Sequence, residues 1–74
     1  MPKIPIVSAK DTIKALEKIG FTIVSQRGSH IKLTKLSQTV VIPNHHTLKK
    51  GTLKKGILNP IGLSVAEFIK LLHH

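Results

Sequence analysis

The sequence predicts an α+β domain in which a helix, three strands and a second helix follow one another, with a short helix added at the C-terminus. Three observations lead to this prediction. A serine-capped amphipathic segment opens the chain, three short β-rich segments follow, and two apolar stripes with helical spacing close it. The links between the β-rich segments are too short for crossover helices. We therefore expect a three-stranded antiparallel sheet packed by two helices on one face.

The first helix is predicted to begin after Ser8 and to end at Gly20. Ser8 is a favourable N-cap, Asp11 suits the positive end of the helix, and glycine is the preferred residue just past a helix end. The face toward the core carries Ala9, Ile13, Leu16 and Ile19. The other face carries Lys10, Lys14 and Lys18, a spacing typical of solvated helix surface.

Strands are predicted over Phe21–Gln26, Ser29–Thr34 and Thr39–Ile42, with turns at Arg27-Gly28 and over Lys35–Gln38. Side chains alternate between the two faces of a strand. In the second strand, Ile31 and Leu33 should therefore face the core. The opposite face should carry His30, Lys32 and Thr34.

After a polar loop over Pro43–Lys50, a second helix is predicted from about Gly51 to Leu58, and Pro60 stops it. Its inward residues should be Leu53, Ile57 and Leu58. Ser64 and Glu67 form a capping box that opens the last helix. The apolar face of that helix consists of Val65, Phe68, Ile69 and Leu72.

The charge of the chain is strongly one-sided. Its 74 residues, enough for one domain over 1–74, contain 12 Lys and Arg but 3 Asp and Glu, which gives a net charge of +9. No acidic residue lies between Glu17 and Glu67. Such self-repulsion opposes folding, so the composition favours a polyanionic partner such as a nucleic acid.

Other partners and compartments are disfavoured by composition. No apolar run approaches the roughly 20 residues that span a bilayer, and Pro2 and Pro5 interrupt a lead-in that is too short for a secretory signal. The chain has no cysteine, which excludes disulfides and Cys-based zinc sites. Phe21 and Phe68 occupy core positions, so bases cannot stack on them. We expect a cytoplasmic protein that holds nucleic acid through phosphate contacts.

His30 is the candidate catalytic residue. It follows Gly28-Ser29, shares a strand face with Lys32, and lies across the turn from Arg27, and we expect these four neighbours to contact RNA. An imidazole at this place can take a proton from a ribose 2′-hydroxyl, and its protonated form can return one to a leaving oxygen. This chemistry needs RNA but no metal or cofactor. The alternative is an ordinary surface histidine after a hairpin turn.

The other candidate contacts follow the third strand. Adjacent His45 and His46 suggest a metal, but neighbouring side chains diverge and no carboxylate is near in sequence, so we expect His45 to contact phosphate or sugar, or only solvent. A basic run follows at a predicted helix N-terminus, where lysines oppose the helix dipole. That cost favours phosphate binding over a merely solvated face. The lysines concerned are Lys49, Lys50, Lys54 and Lys55.

Six short motifs, in this order and spacing, together resemble the HicA-type mRNA interferases, the toxin half of HicA–HicB toxin–antitoxin pairs. They are Val7-Ser8 before a helix, Ile19-Gly20-Phe21, Arg27-Gly28-Ser29-His30, Val41-Ile42-Pro43-Asn44-His45, Lys49-Lys50-Gly51-Thr52-Leu53 and Gly62-Leu63-Ser64-Val65. The resemblance runs from about Pro2 to Leu72. It implies a double-stranded-RNA-binding-domain type of fold, ribosome-independent cleavage of mRNA with His30 as the catalytic residue, and a HicB-type antitoxin that covers the active face.

Two positions depart from the family pattern. Ile31 stands where many members carry a second histidine, and Asn59-Pro60 interrupts a helix that members usually continue. The alternative function is an RNA-binding module of the same fold without catalysis. A DNA-binding regulator is disfavoured because no helix-turn-helix is recognisable.

Overall fold

The computed structural model describes residues 3–73, and Met1, Pro2 and His74 lie outside the described residues. The elements, in chain order, are α1 (Ala9–Glu17), β1 (Thr22–Arg27), β2 (His30–Lys35), β3 (Gln38–Pro43), a π-helix (Thr52–Leu58), a 3₁₀ turn (Asn59–Ile61) and α2 (Val65–Leu72). The predicted α+β class and the α-β-β-β-α order are confirmed. Among residues 3–73, no helix has the length and apolar content needed to cross a membrane.

The caps of α1 are those that the sequence predicts. The Ser8 hydroxyl oxygen accepts a hydrogen bond from the Asp11 amide at 3.1 Å. At the other end, Gly20 has a φ of +103°, and the Phe21 amide donates to the Leu16 carbonyl at 3.1 Å. A left-handed glycine thus reverses the chain and leads it into β1.

The three strands form an antiparallel meander in the order β1-β2-β3. The first turn consists of Gly28 and Ser29 alone, because Arg27 still pairs with His30 as the last residue of β1. The predicted turn at Arg27-Gly28 was therefore one residue early. Gly28 has a φ of +59°, which a glycine adopts without strain.

The second turn consists of Leu36 and Ser37 and is shorter than predicted. Leu36 has a φ of +54° and is 94% exposed. The left-handed backbone conformation is strained for a leucine, and because the side chain is exposed, no burial offsets this strain.

One face of the sheet makes the core with the helices. Ile31 and Leu33 of β2 are buried, as are Val40 and Ile42 of β3. The helices contribute most of the other side chains of this single cluster, which include Leu16, Leu53, Ile57, Leu58 and Phe68. The predicted inward residues of the second helix are thus confirmed, as are the core positions of both phenylalanines.

The second helix is a π-helix, a detail that the sequence did not predict. The Asn59 amide donates to the Lys54 carbonyl, five residues back. Pro60 follows at once, has no amide to donate, and is crowded by the carbonyl four residues before it in a normal helix. The π-helix ends at Leu58, and the 3₁₀ turn follows it. The helix therefore ends early, as the sequence Asn59-Pro60 predicts.

The capping box of α2 is complete. The Ser64 hydroxyl accepts from the Glu67 amide at 3.1 Å, and a Glu67 carboxylate oxygen accepts from the Ser64 amide at 3.2 Å and from its hydroxyl at 2.9 Å. The hydrogen bond from the Ser64 hydroxyl is the main reason that the pKa of Glu67 lies below its ordinary value.

Candidate active site

His30 is the first residue of β2 and lies on the sheet face that no helix covers. It stands opposite Arg27 in β1 and Pro43 in β3, so it occupies the middle strand at one end of the sheet. Its side chain is exposed, whereas the next residue, Ile31, is buried. The predicted alternation of β2 is confirmed. The imidazole is therefore exposed to solvent, while the backbone of His30 is held in place by the two neighbouring strands.

An open groove surrounds His30 on this face. The residues that line it are Ser25, Gln26, Arg27, His30, Lys32 and Val41. Arg27 and Lys32, two of the predicted RNA contacts, therefore lie in the same groove as His30. The groove contains one imidazole and two permanent cations but no carboxylate. This is a suitable setting for a phosphodiester next to a group that transfers protons.

Three groove residues were not predicted from the sequence. Ser25 pairs with Lys32 across β1 and β2, Val41 pairs with Lys32 across β2 and β3, and Gln26 lies beside Ser25. A β-bulge between Ile23 and Ser25 shifts the register of β1. Simple alternation along the chain could not locate that shift, and it determines which β1 side chains flank the groove.

The turn that precedes His30 is anchored by a backbone hydrogen bond of Ser29. The Ser29 carbonyl accepts from the Asn44 amide at 2.6 Å, which ties the first hairpin turn to the segment after β3. That segment is held in turn by Val7 and by the first residue of α1. The Ala9 amide donates to the His45 carbonyl at 2.9 Å, and the Leu48 amide donates to the Val7 carbonyl at 2.8 Å. His45 is thus placed at the same end of the sheet as His30.

His45 lines a separate hollow from the groove of His30. The hollow is formed by Ser8, Lys10, Asn44, His45 and His46. Within residues 3–73, no three His, Cys, Asp or Glu side chains are grouped closely enough to hold a metal ion. The absence of a metal requirement stays a prediction.

The four lysines of the basic run are exposed, but none of them lines the groove of His30. Lys54 lines a hollow on the helical side of the molecule, together with Ile4, Asn59 and Ser64. Lys54 and Lys55 lie away from the groove of His30 because of the way in which the π-helix packs. Its apolar side chains point into the core, so Lys54 and Lys55 point away from it. The basic run and the groove are therefore two distinct cationic regions.

The family model described as HicA toxin of bacterial toxin-antitoxin matches residues 9–63. That span includes α1, the whole sheet and the π-helix. The chain belongs to the HicA toxin family. No curated protein and no solved structure gives a significant match. Membership makes the chain a toxin of a toxin–antitoxin system, with an antitoxin as its partner.

Proposed function

We propose that this HicA toxin is a ribosome-independent endonuclease that cleaves mRNA, with His30 as its catalytic residue. The observation that carries the proposal is the exposed imidazole in a groove that it shares with Arg27 and Lys32. Gly28 and Ser29 form the turn directly before His30, and we propose that they contact the same RNA strand. An mRNA substrate places the activity in the cytoplasm.

The reaction is an attack by the ribose 2′-hydroxyl on the neighbouring phosphorus. His30 takes the hydroxyl proton while Arg27 and Lys32 stabilise the negative charge that grows on the phosphoryl oxygens. The bond to the 5′-oxygen of the next nucleotide breaks, and that oxygen takes up a proton, returned by the imidazolium form of His30 or supplied by water. The products then carry a 2′,3′-cyclic phosphate and a 5′-hydroxyl, and hydrolysis of the ring leaves a 3′-phosphate.

This mechanism uses no metal and no cofactor. A magnesium-dependent nuclease would need carboxylates beside the scissile phosphate. The acidic residues of the chain are Asp11, Glu17 and Glu67, which lie on α1 and α2. None of them lines the groove of His30.

The test is to incubate purified protein with RNA in EDTA, with His30→Ala beside the wild type. Loss of a general base lowers rates by roughly 100- to 10,000-fold, so we expect the variant to be nearly inactive while RNA binding persists. His73→Ala is the matched control, because His73 is exposed at the end of α2 and does not line the groove. Wild-type cleavage by His30→Ala would refute the assignment, and 3′-hydroxyl products or inactivation by EDTA would refute the mechanism.

The same experiment separates the enzyme from the alternative, an RNA-binding module without catalysis. A wild-type protein that binds RNA but leaves it intact, with or without Mg²⁺, would be such a module.

The antitoxin partner is proposed to be of the HicB type and to cover the groove. A protein that replaces RNA there should present Asp or Glu side chains to Arg27 and Lys32. In the complex, modification of His30 by diethyl pyrocarbonate should be suppressed relative to that of His73. Equal modification of both would show that the partner binds elsewhere.

A further inference from the structure

A second cluster of hydrogen-bond donors lies at the same end of the sheet as His30, outside its groove. It is the hollow formed by Ser8, Lys10, Asn44, His45 and His46. No acidic side chain lines this hollow. The Ser8 oxygen already accepts from the Asp11 amide, so its hydroxyl hydrogen is free to be donated outward.

Asn44 connects this hollow to the catalytic end of the sheet. Its amide donates to the carbonyl of Ser29, the residue directly before His30, at 2.6 Å. Asn44 also lines the adjoining hollow that contains Lys14, and Lys10 lines both hollows. The two hollows together form a cationic strip that leads from the His30 end of the sheet along α1, on the helical side of the sheet. Lys10, Lys14 and Asn44 border its second half, whose floor is apolar and consists of Ile13, Ile23 and Ile31. The strip ends at Glu17, which repels phosphate.

The lysines of this strip are available for a ligand. Asp11 and Glu17 each lie three residues from Lys14, a spacing at which helical ion pairs form. Nevertheless, within residues 3–73 the amines of Lys10 and Lys14 make no hydrogen bond or ion pair. Lys18 differs, because its amine donates to the Leu71 carbonyl and holds α2 against α1.

We infer that the RNA strand held at His30 continues over Asn44 into the hollow of Lys10, His45 and His46, and then along Lys14. This inference rests on the proposed function and assigns the path of its substrate. The chemistry fits a ribose-phosphate backbone, since the strip offers ammonium, imidazole, amide and hydroxyl donors but no aromatic platform for bases. Lys54 and Lys55 lie off this path on the π-helix.

The experiment compares two double variants of equal charge. Lys10→Ala with Lys14→Ala and Lys54→Ala with Lys55→Ala each remove two positive charges, so a general electrostatic effect would weaken RNA binding equally. The probe is a 12-nucleotide single-stranded RNA with 2′-O-methyl groups, which the proposed mechanism cannot cleave. Its affinity is measured over a series of salt concentrations, and circular dichroism checks that each variant is folded.

We expect the Lys10 and Lys14 double variant to bind the RNA roughly tenfold more weakly and to lower the salt slope by about 1.4, which corresponds to two lost phosphate contacts. The Lys54 and Lys55 double variant should stay within about twofold. Asn44→Ala and His46→Ala should each weaken binding in the same direction. Equal losses in the two double variants, or a loss confined to Lys54 and Lys55, would overturn the path.

Two other outcomes separate the path from its alternatives. If the Lys10 and Lys14 double variant binds RNA normally but loses affinity for the cognate antitoxin, the strip is a protein-docking surface and the inference is wrong. If wild-type protein cleaves no RNA but shows the expected binding pattern, the proposed function fails while the path stands.

Discussion

The two faces of β2 contrast within four consecutive residues. Ile31 and Leu33 are buried against the helices, whereas His30 and Lys32 are exposed in the groove. The buried face stabilises the fold, whereas we expect the removal of side chains from the exposed face to change the free energy of unfolding very little. The strand thus places core packing and the proposed RNA-binding face one residue apart, and variants on the two faces should have separable consequences.

The largest expected effect on stability is that of Leu33→Ala. Leu33 is fully buried in the centre of the sheet, and truncation leaves a cavity that costs about 3 kcal/mol. Denaturant unfolding should show this loss. Lys32→Ala, one residue away on the open face, should change the free energy of unfolding by less than about 0.5 kcal/mol while it weakens RNA binding. Comparable destabilisation by the two variants would refute the division between the faces.

Gly28→Ala tests the point at which the two roles meet. A Cβ at this position would touch nothing within 4 Å, so no clash occurs, but the φ of +59° is unfavourable for alanine. We expect a loss of about 1 kcal/mol in unfolding free energy. Because the turn positions His30, the rate of RNA cleavage should fall by more than the lost stability explains. Comparing the kcat of the variant with that of the wild type, well below both melting temperatures, measures this additional loss. An unchanged kcat would show that the turn serves the fold alone.

Ser64→Ala should act on the helical side alone. It removes the N-cap of α2, which costs about 1 kcal/mol, and should leave the cleavage of RNA unchanged at temperatures where the protein is folded. A shift in cleavage specificity would contradict the separation.

The same cap gives stability a pH dependence. The folded protein holds the pKa of Glu67 below its ordinary value, so the carboxylate stabilises the fold above that ordinary value. The contribution disappears as pH falls through the lowered pKa. The melting temperature of Glu67→Gln should therefore be lower than that of the wild type at neutral pH, and the difference should shrink in acid. Thermal melts at several pH values measure this difference.

The smallest expected effect comes from Leu36→Asn in the second turn. Asparagine tolerates left-handed backbone better than leucine, and Leu36 is too exposed to lose packing. A gain of about 0.5 kcal/mol is expected in denaturant unfolding, with RNA cleavage unchanged. A destabilised variant would mean that the leucine makes a contact that compensates for its backbone strain.

Much of this fold could be predicted from local signals. The caps at Ser8 and Ser64, the glycine after α1 and the alternation of β2 each act over a few residues, so the sequence shows them directly. The register shift in β1 and the π-helix depend on hydrogen bonds that no local pattern specifies. Strand and turn boundaries accordingly moved by about one residue, as at Arg27.

The site was less predictable, because it depends on tertiary placement. His30, Arg27 and Lys32 share a face by alternation and pairing, and these local rules were enough to place them together. The lysine run looked equally suited to that site, but burial of Leu53, Ile57 and Leu58 turns Lys54 and Lys55 away from the core on the helical side. The link between Asn44 and Ser29 joins residues 15 apart and had no sequence signal.

The lead-in before α1 has a consequence for the order of folding. Val7 of this lead-in and Ala9, the first residue of α1, each make a hydrogen bond with the His45–Leu48 loop. These two bonds join residues about 40 apart in sequence, whereas the meander forms from neighbouring strands. Closing so long a loop carries an entropy cost that a hairpin avoids. The sheet can therefore assemble before the loop is fastened, and the loop can reopen while the sheet stays intact. Amide exchange at Ala9 and Leu48 should occur together and faster than exchange in β2, which makes the surroundings of His45 the last part of the site to form and the first to open.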